Sequence, residues 1–245
     1  MQLFNQQQAM ALIDTLNQQN WEKVAESLHQ HGFALLENIL PENLCDVIRE
    51  HYEHAPLYRK TVDMQRYRFG CGEYKYFNYP LPNVIQLLRT EIYPHLVPIA
   101  NTWFQQLNIK QQFPANHAAF LQQCKAAGQA EATALILKYT ASGFNTLHQD
   151  LYGEVYFPMQ AVIFLNQLNR DFTGGEFVLT EQIPRAQSKA RVLQANQGDM
   201  LIFTTQFRPK QSKTGYSRVQ MKHGVSEVHT GERYTLGIIF HDAER

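Results

Sequence analysis

The sequence predicts an α+β fold in which helices brace an all-β sandwich or barrel. Two observations carry this. Up to about residue 131, apolar residues recur mainly at spacings of three and four. From Leu135 onward, short runs rich in β-branched and aromatic residues alternate with turn signals. No internal repeat or low-complexity linker separates the two halves. Residues 1–245 therefore read as a single domain, with a mainly helical region 1–131 packed on a β-core spanning 132–245.

Helices are expected over residues 9–18 and 21–29, from Met10, Ile13 and Leu16 and then Trp21, Val24 and Leu28, with Gly32 as a C-cap. Residues 33–40 read as a buried strand, and Pro41 stands near the first turn of a further helix. Residues 66–82 crowd Tyr67, Phe69, Tyr74, Tyr76, Phe77 and Tyr79 around Gly70 and Gly72. This segment reads as a hairpin or long loop, serving either as satellite core packing or as a lid facing substrate. Residues 84–107 are expected to be helical, with interruptions at Pro94 and Pro98. Strands follow over 135–139, 160–165, 175–180, 191–195, 200–204, 216–219 and 234–240. Ser142-Gly143, Thr173-Gly174-Gly175, Gln197-Gly198-Asp199 and Thr230-Gly231-Glu232 break them.

At 44% hydrophobic and 18% charged residues, the composition excludes a disordered or fibrous chain. Lys plus Arg and Asp plus Glu both total 22, so overall charge identifies no partner. Cys45, Cys71 and Cys124 are odd in number, dispersed, and form no CxxC. That argues against a disulfide framework or a thiolate zinc site and fits a reducing compartment. The N-terminal Met1-Gln-Leu-Phe-Asn lacks the cationic and apolar segments of a secretory signal. No apolar run approaches the roughly 18 residues of a membrane span. A cytoplasmic protein with no membrane partner is expected.

His148-Gln149-Asp150 follows the first strand of the β-region. Alternation along a strand puts His148 and Asp150 on one face and Gln149 on the other. An imidazole and a carboxylate so spaced supply two ligands of a 2-His-1-carboxylate facial triad, and His223 is the candidate third. Such a triad leaves positions open for a bidentate cosubstrate and oxygen. Arg233 lies ten residues after His223 at the head of the last strand. Inside a small barrel an arginine needs an anion, and the distal carboxylate of 2-oxoglutarate would satisfy it bidentately. Thr235, on the same face, and Tyr139, nine residues before His148, are placed to join that contact. Taken singly, a His-x-Asp is usually a surface pair, His223 a hydrogen-bonded histidine and Arg233 a rim salt bridge. Their order within a β-core is what argues for chemistry.

These residues resemble the 2-oxoglutarate/Fe(II) dioxygenases, on the prolyl-4-hydroxylase-like side. The matching segments are Tyr139 before His148-Gln-Asp150, Phe164-Leu-Asn, Gly174-Gly-Glu-Phe, Gly198-Asp-Met-Leu-Ile-Phe, and His223-Gly-Val through Arg233-Tyr-Thr-Leu. The resemblance implies a double-stranded β-helix (jelly-roll, cupin-like) core. It also implies Fe(II) on His148, Asp150 and His223, 2-oxoglutarate on Arg233, and O2 as co-reactant. Phe164 departs from the tyrosine often found at that strand position in prolyl hydroxylases. Asp150 argues for hydroxylation over halogenation, since related halogenases carry a small residue there.

Gly72-Glu-Tyr-Lys-Tyr-Phe, Arg170-Asp-Phe-Thr-Gly-Gly-Glu-Phe and Leu236-Gly-Ile-Ile-Phe-His-Asp-Ala are similar to a bacterial oxygenase family whose label proposes oxidative demethylation of damaged nucleic acid. Demethylases of nucleic acid in the wider superfamily carry a second arginine after the distal His; here only Arg245 lies beyond Arg233. A basic run of Arg185, Lys189, Arg191, Arg208, Lys210 and Lys213, on expected loops at 182–190 and 205–217, reads either as a rim for nucleic-acid phosphates or as solvated charge. The alternatives are a hydroxylase of protein side chains or small molecules, and a non-catalytic cupin-like binding protein.

Overall fold

A computed structural model describes residues 3–150, 153–183 and 185–244. Met1 and Gln2 of the N-terminal segment, Leu151 and Tyr152 after the His-x-Asp, Pro184, and Arg245 lie outside the described residues. Among the described residues the chain forms five α-helices: α1 (Gln6–Asn17), α2 (Trp21–His31), α3 (Glu42–Glu50), α4 (Asn83–Gln106) and α5 (His117–Ala126). None is long and apolar enough to cross a membrane.

The strands begin with β1 (Phe33–Leu36), β2 (Tyr58–Asp63), β3 (Gly70–Cys71) and β4 (Glu73–Phe77). There follow β5 (Leu135–Tyr139), β6 (Phe144–His148), β7 (Met159–Phe164), β8 (Phe172–Gly174), β9 (Phe177–Gln182) and β10 (Lys189–Leu193). The last are β11 (Met200–Thr204), β12 (Phe207–Ser212), β13 (Gly215–Val225), β14 (Val228–Gly231) and β15 (Arg233–Ile239).

Local signals set the helix ends. Asn5 and Gln8 form a capping box at α1, each side chain accepting from the other's backbone N–H. Gly32, at φ +78°, ends α2 by donating to the Leu28 carbonyl. Pro94 and Pro98 lie inside one unbroken α4, contrary to the expected interruption. Leu88, Ile92, Leu96, Ala100, Trp103 and Phe104 are all buried along it. Each large apolar side chain contributes about 1.5–3 kcal/mol on burial, which outweighs about 3 kcal/mol per internal proline.

One sheet runs β1-β11-β7-β15-β5-β4-β2, and the facing one β10-β9-β13-β6-β3 with β12 paired to β13. The strands pair antiparallel, giving the double-stranded β-helix that the resemblance implied. The N-terminal half is less purely helical than its periodicity predicts. β1 zips onto β11 with Ala34 opposite Ile202, and β4 onto β5 with Tyr74 opposite Leu137. Both pairings cross the 131/132 line.

Alternation sorts the two faces of the larger sheet. Met159, Ala161 and Ile163 on β7, with Tyr234, Leu236 and Ile238 on β15, pack against the helices in the main core. Gln160 and Val162, with Arg233, Thr235, Gly237 and Ile239, turn inward onto a cavity between the sheets. The expected hairpin or loop at 66–82 divides the same way. Tyr76 and Phe77 are buried, whereas Tyr67 and Phe69 are exposed.

Behind the larger sheet, the chain's end is pinned to α4. Arg89 donates to Asp242 Oδ1 at 2.8 Å, to the Phe240 carbonyl at 3.0 Å and to the Tyr79 hydroxyl at 2.8 Å. Beside them His117 Nε2 donates to the Phe240 carbonyl at 2.7 Å, and the Phe157 N–H donates to His241 Nδ1. Burial, reinforced by Arg89, lowers His117 to about 4 and His241 to about 3. Between those values and the ordinary 6.5, the unfolded chain binds protons that the folded one refuses, so stability present above 6.5 drains away as pH falls. The melting temperature is therefore expected to drop steadily from pH 6.5 to 4 in calorimetry. His117→Gln, which keeps a donor for Phe240, should make that drop shallower.

Candidate active site

The site forms where β13 closes on β6. His223 stands directly opposite His148 in the ladder, with a register shift just after it. Gly224 makes the approach possible, since a Cβ there would lie 2.6 Å from the Asn145 carbonyl oxygen. Asp150 is not on the strand as expected, because β6 ends at His148. Its carboxylate still reaches the same side: Oδ1 is 3.4 Å from His148 Nε2 and Oδ2 is 3.2 Å from His223 Nε2. Donors bound at about 2.1 Å to one ion, in adjacent octahedral positions, stand about 3 Å apart. His148, Asp150 and His223 meet that spacing and form a group able to hold a metal ion. Gln149 turns aside, its Nε2 donating to the carbonyls of Gln206 and Met221 at 2.9 Å each.

His148 Nδ1 lies 2.7 Å from the Thr146 carbonyl, which only accepts, so Nδ1 carries a proton and Nε2 is the atom that faces Asp150. Burial opposes charge on the His148 ring, but the Asp150 carboxylate outweighs it and raises the ring above its ordinary value. Burial opposes charge on Asp150, but the imidazoles of His223 and His148 outweigh it and hold the carboxyl well below its usual range. Burial, helped by His148, pushes His223 down and favours neutral imidazole. The His223 ring is gripped by Phe177, 5.9 Å away and nearly parallel, and by Phe203 at 4.7 Å.

The same cavity, of about 300 Å³, holds Arg233, Tyr139 and Thr235. Arg233 is 1% exposed, and its Nε and both Nη atoms have no hydrogen-bond partner among the described residues. Its guanidinium lies 5.5 Å from the ring centres of both Tyr139 and Phe164. Burial lowers Arg233 to about 10, still cationic at neutral pH. Gly175 gives the side chain room, because a Cβ there would sit 2.9 Å from Arg233 Cδ. Tyr139, opposite Arg233 in the ladder, is fully buried and accepts from Asn145 Nδ2 at 3.3 Å. Burial raises its phenol to about 12, so it retains a proton to donate.

Sequence reasoning missed Gln160, whose Nε2 donates to Asp150 Oδ2 at 2.7 Å. The available signal was a lone amide within the apolar Met159–Phe164 strand. The basic run needs correction at two points. Residues 205–217 are not a loop, for β12 and β13 form a hairpin there. Arg208 is buried and donates to Glu181 at 2.6 Å, so it is an internal ion pair and no rim charge. Lys189, Arg191 and Lys210 line a separate groove with His31, while Lys213 and Arg185 are exposed.

Residues 72–243 match the model of an oxygenase family described as catalysing oxidative methylation of damaged DNA. A Mycobacterium tuberculosis relative, uncharacterized protein Rv2227, is 47% identical over 167 residues, covering 68% of this chain and 72% of its own. A Pseudomonas putida prolyl-4-hydroxylase structure is similar with a TM-score of 0.52 at 14% identity, covering 92% of this chain and 99% of that one. A 2OG-Fe(II) oxygenase family oxidoreductase from Burkholderia pseudomallei gives 0.53 at 14%, covering 93% and 94%. At that identity the likeness to the solved structures shows the fold. The family match, spanning most of the chain, shows that this protein belongs to that oxygenase family.

Proposed function

We propose that the protein is a 2-oxoglutarate- and O2-dependent Fe(II) dioxygenase with a nucleic-acid base as its substrate. One observation carries the cofactor reading. A fully buried guanidinium with no hydrogen-bond partner among the described residues shares a cavity with a His-Asp-His triad whose donor atoms face one another. A buried cation of this kind is costly alone and fits a carboxylate bidentately. His148, Asp150 and His223 would hold Fe(II), and Arg233 the distal carboxylate, with Thr235 and the Tyr139 phenol beside it.

When bound, iron and 2-oxoglutarate supply oxygen chemistry in which the cosubstrate loses carbon dioxide to give succinate and a substrate C–H bond is hydroxylated. The chain orients the reactants and keeps water out. Phe177, Phe203, Val162 and Leu135 line an apolar wall, and β6 and β13 close one side. Hydroxylation of an N-methyl carbon gives a hemiaminal that releases formaldehyde, while an aliphatic carbon keeps its hydroxyl.

The substrate reading draws on the family description and on the cavity rim. Phe69 lines the cavity, and Tyr67 stacks on it at 5.5 Å and 18°, both rings exposed. Exposed flat rings at a site mouth suit an unstacked base, a contact worth about 1–3 kcal/mol. Lys213, Arg185 and the Lys189-Arg191-Lys210 groove add sequence-independent attraction for phosphates.

Anaerobic titration with Fe(II) and 2-oxoglutarate should produce the weak visible charge-transfer band of the chelated cosubstrate. Asp150→Ala should abolish it. Arg233→Met should melt no lower than the parent yet weaken 2-oxoglutarate binding by about 2–5 kcal/mol. A band that persists in Asp150→Ala rejects the cofactor assignment.

Succinate release, screened over methylated oligonucleotides, peptides and amino acids, tests the substrate. Oligonucleotides should stimulate release, binding should weaken with salt, and Phe69→Ala should raise the oligonucleotide Kd by roughly five- to a hundredfold. Stimulation by peptides alone would replace the base with a protein side chain.

A further inference from the structure

We infer that the groove between β10, β12 and the end of α2 is a phosphate-binding site, in which Lys189, Arg191 and Lys210 hold a backbone phosphate of a bound strand. The phosphate site stands by itself; its assignment to a strand rests on the nucleic-acid reading above. The groove has a volume of about 670 Å³ and shares no lining residue with the cavity of the triad. Alternation sets Lys189 and Arg191 on one face of β10, and Arg208 and Lys210 on one face of β12. All four line the groove, where Glu181 is the sole carboxylate among the described residues. Glu181 Oε2 accepts from Arg208 at 2.6 Å, Oε1 lies 3.8 Å from Lys210 Nζ, and Lys189 stands opposite in the ladder. One negative charge is thus shared among three cations. Arg191 is left to donate to His31 Nδ1 at 3.2 Å. A guanidinium only donates, so that nitrogen bears no proton and the imidazole is neutral.

Such an excess of cations attracts an anion. Donors that arrive from two strands suit a tetrahedral phosphate, whose oxygens point in several directions, better than a planar carboxylate. Tyr216, exposed, lines the same groove and offers a ring for a neighbouring base, which favours a strand over a free phosphate. His31 is placed to respond. It faces Arg191 and Lys189 from β10, Arg208 from β12 and Glu181 from β9, with the Phe33 ring of β1 beside it. Burial, reinforced by the three cations, holds its imidazole below the ordinary value. A phosphate that draws Arg191 away frees Nδ1 and offsets those cations, so the ring takes up a proton from solvent. Binding therefore raises the His31 value, and affinity increases as pH falls through the value of the bound form.

The test titrates the full-length chain, without metal or cosubstrate, with oligothymidylate, whose phosphodiesters and bases keep their charge throughout the neutral range. Inorganic phosphate and polyglutamate serve as separate probes. Arg191→Gln and Lys189→Gln should each raise the oligothymidylate Kd roughly tenfold and reduce the salt slope by about one. The His31 proton resonance, assigned by its loss in His31→Gln, should move toward the protonated position on saturation. His31→Gln should also flatten the pH dependence of binding. Parental Kd and slope in both groove variants, or a His31 resonance indifferent to saturation, overturns the proposal. Equal binding of polyglutamate overturns the choice of phosphate. Binding of inorganic phosphate but of no oligothymidylate supports the site and overturns the strand. Binding lost in Phe69→Ala but retained in both groove variants overturns the groove and leaves the nucleic-acid reading standing. None of these outcomes bears on the iron site, since no metal is added.

Discussion

The pairing of β13 with β6 is the constraint on which the site depends. These strands bring His223 across from His148, although the residues are far apart in the chain. The approach is so close at Gly224 that any side chain there would collide with the Asn145–Thr146 backbone. β9 then pairs along the other edge of β13, setting Leu179 beside His223 and Phe177 against its ring. A one-residue slip would turn His223 to the outside face and dissolve the group. Ladder geometry, more than any single ion pair, thus determines where the imidazoles stand.

A second consequence of the fold is electrostatic. The inner face of β15 carries Arg233 and Thr235 into a cavity lined on one side by Phe177, Phe203, Val162 and Leu135 and on another by His148, Asp150, Gln160 and His223. Arg233 is buried there, so its positive charge acts strongly on whatever enters. The helices permit this by covering the outer face of the same sheet, where α4 and the Arg89–Asp242 pair fasten the last residues. The main apolar packing and the Arg89–Asp242 pair lie on the outer side of the sheet, and a guanidinium with no hydrogen-bond partner among the described residues lies on the inner side. Such a division is expected where a binding site is built at the expense of local stability.

Much of the site was legible because strand alternation and spacing are properties of the chain itself. Tyr139, His148, Arg233 and Thr235 fall on strands or their ends, and the structure brings all four, with Asp150 and His223, to one cavity. Long-range partners were not legible. Arg208 reads as one more basic residue until β12 and β9 are seen flanking β13, with Val219 and Met221 setting Arg208 and Glu181 on one face. Gln160 was hidden for the same reason, since its partner Asp150 lies just past the end of β6, a strand of the other sheet. β6 and β12 escaped notice because half-exposed Phe144–His148 and the polar, proline-bearing Phe207–Ser212 lack clear apolar alternation. The prolines of α4 misled in the opposite sense, local preference yielding to burial along the whole helix.

The most direct measurement is an anaerobic crystal structure with Mn(II) in place of iron, together with 2-oxoglutarate. The account predicts a single ion contacting His148 Nε2, one oxygen of Asp150 and His223 Nε2, with the far carboxylate of the cosubstrate paired to Arg233. An ion bound elsewhere, or a dicarboxylate that leaves Arg233 without an anion, would contradict it.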